Sequence, residues 1–313
     1  MAKEKRKSGK VVTILIIVML LVFGASVGGN IFLQSKFTSK KKEYKELKEK
    51  YDKTKEEYDK KVEEVKASDD NLKKYEDLDK QIEDAKKGYY ASIKQLEDDI
   101  AAGKSTKKIA YLTFDDGPYY NTYNVLKILQ DNDVLATFFT QSGNGEKCFD
   151  NKNANCYDLY KEYYKRGHTI ANHTYTHAIF KGLYKSVASF MDAIDKQHEH
   201  IKKYSGGYVP NIMRFPGGSA TAGSGKNAII TELRKRGYGW VDWTAQDGDG
   251  GDLKSTTQAW SNFTKSIGDK FEVVLFHDYD KRTTAILPDV IKHLRQKGYE
   301  IHPLFYESRM INK

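Results

Sequence analysis

The chain has 313 residues, of which 39% are hydrophobic and 30% charged, with a mean hydropathy of −0.69. That length exceeds one average domain and supplies apolar material for one large core, while the polar average excludes a polytopic membrane protein. The formal charge of +9 is spread out, with 25 basic and 20 acidic residues in 1–107 and 27 and 23 in 108–313, so no basic stripe points to nucleic acid and no such partner is expected. Two cysteines allow a single bridge at most and exclude a four-cysteine zinc site.

Lys3, Lys5, Arg6, Lys7 and Lys10 precede an uncharged run over residues 11–33. About 20 apolar residues suffice for a spanning helix. The densest part, 11–23, also suits the apolar region of a secretory signal, but residues 24–29 offer no clean A-x-A cleavage site. The expectation is an uncleaved signal-anchor with a basic cytoplasmic tail over 1–35, with a cleaved signal as its alternative. Lys36, Lys40, Lys41, Lys42 and Lys45 follow the run as densely as basic residues precede it, so charge does not orient it. A long domain after a signal-like start is expected outside the cell, which makes this a single-pass membrane protein.

Residues 36–102 are rich in Lys, Glu, Asp and Tyr, without proline and without glycine before Gly88, and read as a helical stalk. One heptad register runs through Tyr44, Leu47, Tyr51, Tyr58, Val65, Leu72 and Tyr75, and a shifted one through Leu78, Ile82, Ala85, Tyr89, Ile93, Leu96 and Ile100. A coiled coil able to form a homodimer and a solvated spacer helix both fit. Residues 103–107 form a linker.

From residue 108 to 313 short apolar runs alternate with amphipathic segments. Strands are expected at 109–114, 136–140, 169–171, 238–243, 271–276 and 300–303, and helices at 123–131, 157–166, 186–204, 228–236 and 283–297. Gly167, Gly237 and Gly298 stand where helices would end before strands, as repeated αβ connections require. An α/β domain follows, with ligands at the C-terminal ends of its strands.

Four constellations occupy such ends. Thr113-Phe114-Asp115-Asp116-Gly117-Pro118 closes the first strand with two carboxylates. His173-Thr174-Tyr175-Thr176-His177 spaces two imidazoles four apart, which on one helical turn would face one cation. Arg214-Phe215-Pro216-Gly217-Gly218 joins a fixed cation to bare backbone, and Leu275-Phe276-His277 ends an apolar strand in histidine. Singly, each reads as a turn, a surface histidine pair or a satisfied core residue; together they supply a metal-ligand set, a spare carboxylate and a further histidine.

In this order the motifs resemble the NodB-homology polysaccharide deacetylases, carbohydrate esterase family 4, over about residues 108–305. The resemblance implies a distorted (β/α) barrel and hydrolysis of acetyl groups from cell-wall glycan, specifically peptidoglycan N-acetylhexosamine. It implies a divalent metal, Zn²⁺ first and Co²⁺ or another ion as alternatives, held by Asp116, His173 and His177. Asp115 would be the base, held in place and ionised by Arg214; Gly217, where family members often carry tyrosine, would offer a backbone N–H to the oxyanion; and His277 would be the acid. The partner tuning His277 is expected to be Asp249 rather than Asp242, with Asp247 next in line and Gly250 leaving the site open on that side. Cys148 and Cys156 flank a polar insert that one disulfide could close in an exported enzyme. The rivals are a deacetylase of chitin oligomers or O-acetylated polysaccharide, and a catalytically silent envelope scaffold.

Overall fold

Strand β1 (Lys108–Asp115) is buried at every position after its first residue, the pattern of a parallel strand covered on both faces. It belongs to a computed structural model that describes residues 52–56, 59, 72–143 and 145–309. The chain divides into two units between Gln95 and Leu96, inside helix α1 (Leu72–Ala101), so the last residues of that helix belong to the second unit.

After β1 come α2 (Thr122–Asp131), β2 (Thr137–Thr140), α3 (Leu159–Lys165), β3 (Thr169–Asn172), α4 (Val187–Ser205), β4 (Ile212–Met213), α5 (Lys226–Lys235), β5 (Gly239–Trp240), β6 (Ala245–Gln246), α6 (Thr256–Ser266), β7 (Phe271–His277), α7 (Lys281–Gln296) and β8 (Tyr299–Ile301). All pairings are parallel, in the order β5-β4-β3-β2-β1-β7-β6, with β8 beside the start of β1. Strands β5 and β6 stand at opposite ends of this order, yet only residues 241–244 join them. In a flat sheet they would lie about 29 Å apart, whereas the connection reaches about 18 Å at most. The sheet must therefore curl, and the result is the expected barrel-like fold.

Alternation along β1 divides the core. Ala110, Leu112 and Phe114 pack toward the helices with Leu126, Phe138 and Phe276, while Ile109 and Tyr111 face the barrel interior with Phe139, Val241, Val273 and Ile100 of α1. The same parity turns Thr113 and Asp115 inward. Glu97, also from the last turns of α1, is buried and accepts hydrogen bonds from the Tyr111 hydroxyl and the Arg309 N–H.

Gly167, Gly237 and Gly298 have φ of +82°, +74° and +83° just past α3, α5 and α7, as their sequence positions indicated. Three differences have physical reasons. The strand expected over 238–243 stops at Trp240, because the carbonyls of Val241 and Asp242 accept from Arg214 Nε and Nη2, both at 3.2 Å, rather than from a neighbouring strand. Helix α6 was not anticipated: only Ala259 and Phe263 are buried on it, too sparse a stripe for periodicity, and the Ser255 cap starts it. Strand β4 has two residues and no pattern to detect. Among the described residues no helix is long and apolar enough to cross a membrane; the apolar run 11–33 and the heptad positions from Tyr44 to Val65 lie outside them, while those from Leu72 to Ile100 fall on α1.

Candidate active site

Parallel register brings the strand ends to one rim. Asp115 pairs with Phe139 of β2 and His277 of β7, and Asn172 pairs with Thr140 and Met213, so His173 and Arg214 emerge beside them. Arg214 is fully buried. Its Nη1 donates to Asp115 Oδ1 and to Thr113 Oγ1, both at 2.8 Å, and its guanidinium lies 4.2 Å from the Phe139 ring centroid. This one side chain thus grips β1 and the segment after β5 together. Burial raises the Asp115 carboxyl, and the opposing charges of Arg214 and then His277 act against that rise.

Asp116, His173 and His177 each offer a ligand atom, all within 4.8 Å of one another. His173 and His177 do not share a helical turn, as their spacing suggested. Strand β3 ends at Asn172, and an Asx turn follows in which Asn172 Oδ1 accepts from the Thr174 N–H at 2.9 Å. Positive φ at Thr174 and His177 (+63° and +48°) then folds the loop until the two imidazole centroids are 4.9 Å apart. Asp116 too is left-handed, at φ +70°, backbone strain of the kind that clusters at functional sites. Both Nε2 atoms stand 3.6 Å from Asp116 Oδ1, a buried oxygen with no hydrogen-bond partner. Burial pushes His173 down to about 3, against the charge of Asp116, and its Nδ1 lies 2.9 Å from the Arg214 carbonyl. A neutral imidazole donating there turns the Nε2 lone pair toward the cluster, as a metal ligand requires. An orphaned carboxylate oxygen and two convergent imidazoles fit a divalent cation. The Asn172 side chain is buried and donates to the Ile194 carbonyl, so the Asn172-His173-Thr174 sequon is no glycan acceptor in the folded chain.

Opposite this cluster, His277 Nδ1 is 2.7 Å from Asp249 Oδ1, and the His277 N–H donates to Asp249 Oδ2 at 2.6 Å. His277 Nε2 points at Asp116 Oδ2, 3.8 Å away. Burial opposes a charge on His277, but the hydrogen bond to Asp249 and the charges of Asp249, Asp116 and Asp115 prevail and hold it up to about 9. Asp247 backs Asp249. Thr283 Oγ1 lies 2.6 Å from Asp247 Oδ2 and 2.8 Å from Asp249 Oδ2; one hydroxyl proton serves only one of them, and Asp247, raised by burial and then by Asp249, is the carboxyl placed to carry another. Asp242 is elsewhere, accepting from the Ser219 N–H (2.8 Å) and hydroxyl (2.6 Å). Gly250 does not leave an open wall: a Cβ there would come 2.8 Å from His277 Cε1, so the bare backbone packs against the ring. Gly217, at φ +73°, would place a Cβ 3.0 Å from Thr221 Oγ1 and 3.1 Å from Ile179 Cδ1, which disfavours the family tyrosine here.

Sequence reasoning missed Tyr119, Tyr279 and Asp278. Tyr279 lies 5.2 Å from the His277 ring and Tyr119 lies 5.3 Å from Tyr279. Asp278 is fully buried, pushed up to about 7 by burial, and hydrogen-bonded by Thr122. The only signal was adjacency to His277 and Pro118. Cys148 and Cys156 form a disulfide.

A curled parallel barrel with a candidate cation cluster and a carboxylate-backed histidine at its strand C-termini has the layout of a barrel hydrolase. A model of the polysaccharide deacetylase family matches residues 102–238. A peptidoglycan-N-acetylglucosamine deacetylase of Bacillus cereus is 30% identical over 208 residues, 64% of this chain and 71% of that one, and a chitin deacetylase of Colletotrichum lindemuthianum is 30% identical over 60% and 74%. Among solved structures, the catalytic domain of a peptidoglycan N-acetylglucosamine deacetylase from Eubacterium rectale superposes with a TM-score of 0.59 at 29% identity, covering 66% of this chain and 93% of that one. The chain belongs to the polysaccharide deacetylases, the NodB-type carbohydrate esterase family 4, and its activity is that of a deacetylase, a hydrolase.

Proposed function

We propose that the protein removes N-acetyl groups from peptidoglycan N-acetylhexosamine outside the cell, anchored to the membrane through residues 1–35 and held away from it by the stalk. The observation that carries the reading is the pairing across one rim of the Asp116, His173 and His177 cluster with the Asp249-backed His277. The similarity to peptidoglycan deacetylases supports the polymer, and the apolar run and the disulfide support an external domain.

A divalent cation, Zn²⁺ in the first instance, would be held by Asp116, His173 and His177 and would supply Lewis acidity toward the acetyl carbonyl and make water nucleophilic near neutral pH. Asp115, oriented by Arg214, takes a proton from the attacking water as its oxygen bonds to the carbonyl carbon. The Gly217 N–H, which donates to no group among the described residues, is free for the developing oxyanion. His277 gives its proton to the sugar nitrogen as the C–N bond breaks, so acetate and a free amine leave.

Incubating the full chain with peptidoglycan fragments should release acetate, and Asp115→Asn should lower the rate by a factor of about 10² or more. Release from chitin oligomers but not from peptidoglycan would move the substrate to the rival class, and no release from either would overturn the reading.

A further inference from the structure

The segment after the Asp-Asp-Gly-Pro turn and the disulfide-closed insert meet at the surface on the His277 side of the site. Asp150 ties them: its Oδ1 accepts from the Tyr120 N–H at 2.7 Å and its Oδ2 from the Asn121 N–H at 3.0 Å. Asn121 in turn donates to the Asp278 carbonyl at 2.9 Å, next to His277. The insert is held from within by the Cys148–Cys156 bond, by the Cys148 N–H to the Ala154 carbonyl (3.1 Å) and by the Cys156 N–H to the Glu146 carbonyl (2.7 Å). On this fixed frame stand two aromatic rings in solvent, Phe149 at 70% exposure and Tyr120 at 45%. The Lys152 ammonium, 4.9 Å from the Phe149 ring centroid, accompanies one of them.

Ring contacts lead from the chemistry to Tyr119, and the backbone connects that point to both exposed rings, of which Tyr120 also packs edge-on against Tyr123. His277 lies against Tyr279 and Tyr279 against Tyr119; Tyr120 is the next residue, and Asp150 fixes Phe149 beside it. A lone exposed phenylalanine needs no explanation. Two exposed rings on backbone held by a disulfide and a carboxylate clamp are contact area whose backbone ordering cost is met before any ligand arrives. Pyranose rings present C–H faces that pack on aromatic rings, so the occupant these residues fit is the glycan polymer itself.

We infer that Tyr120 and Phe149 form a glycan-binding platform that holds sugars neighbouring the one whose acetyl group is removed. The inference rests on the deacetylase reading and deepens it: the platform makes the enzyme prefer chains to short fragments. The disulfide insert is then part of the substrate site.

The test is binding of β-1,4-linked N-acetylglucosamine oligomers of two to six sugars to the full chain, by titration calorimetry with chelator present so that the ligand persists. Affinity of the unaltered chain should rise with length. The Tyr120→Ala, Phe149→Ala double variant should bind the hexamer about ten-fold more weakly and the dimer unchanged, while Phe149→Trp should retain hexamer binding. Length-independent binding, equal loss for dimer and hexamer, or an effect of the variant on self-association in place of glycan binding would each overturn the platform. Acetate release by the unaltered chain without chelator tests the deacetylase reading separately, since its absence would sink that reading whatever the binding data show.

Discussion

Asp115, Asp242 and Asp249 are all about 2–3% exposed, yet each is committed to a different partner: Arg214, Ser219 and His277. The commitments separate their roles in a pH profile. A general acid works while protonated, so in the proposed role His277, held up to about 9, should sustain activity to about that pH and lose it above, as a pH–rate profile would show. Asp249→Asn removes the hydrogen-bonded carboxylate behind the rise. It should cut kcat by about 10²-fold or more and move the alkaline limb to lower pH. Asp242→Asn should leave the limb in place, because its carboxylate serves the Ser219 N–H and hydroxyl; its cost belongs to stability, about 1–3 kcal/mol. The reverse pattern in pH–rate profiles would hand the tuning role to Asp242.

At the scale of elements, the end of α1 is built into the barrel floor. Ile100 sits in the interior cluster, and Glu97 accepts from Tyr111 of β1 and from the Arg309 N–H. Glu97→Ala leaves a buried hydroxyl and a backbone N–H without their acceptor, a loss of about 1–3 kcal/mol, which for a domain of this size lowers Tm by roughly 2–10 °C. A melt unchanged by the substitution would mean that this turn of the helix is dispensable. A chain starting at residue 104 should be less stable than one starting at residue 96 for the same reason. The insert offers a second case. Its disulfide closes a loop with a sequence separation of 8, and both half-cystines are buried. The Cys148→Ser, Cys156→Ser variant should lose roughly 2–3 kcal/mol, measured by denaturant titration against the oxidised chain.

For the whole molecule, a cation bound by Asp116, His173 and His177, as proposed, would link β1 to the loop after β3. Chelation should therefore lower Tm as well as stop acetate release, and added Zn²⁺ or Co²⁺ should restore both. In the His173→Ala, His177→Ala double variant the metal-dependent part of Tm should vanish, since one carboxylate cannot hold the ion tightly. Retained metal response would remove the cluster from the assignment. The proposed topology has its own measurement: protease added to intact cells stripped of wall should remove the catalytic domain and leave a membrane stub. Protection until the membrane is broken would reverse the orientation and with it the polymer.

Much of the site is legible in the linear chain because its residues sit in short motifs at the ends of apolar runs, and because glycine after each of three helices marks where strands begin. Residue type and local spacing determine that Asp115 and Asp116 terminate a buried strand and that His277 terminates another. Spacing misled where backbone strain took over, as with the two histidines that a left-handed turn, not a helix, brings together. Helix α6 and strand β4 escaped because too few apolar residues carry them. The family resemblance already anticipated Asp115 with Arg214 and Asp249 with His277; the tertiary structure supplies the means of both pairings and the partner of Asp242, Ser219. Register places Asp115 beside His277, the curl of the sheet delivers the carbonyls of Val241 and Asp242 to Arg214, and the turn after β6 carries Asp249 under His277. Those pairings join residues dozens of positions apart, and no local pattern encodes them: they follow from the closure of the whole sheet, in which β5 and β6 must meet because four residues are all that separates them.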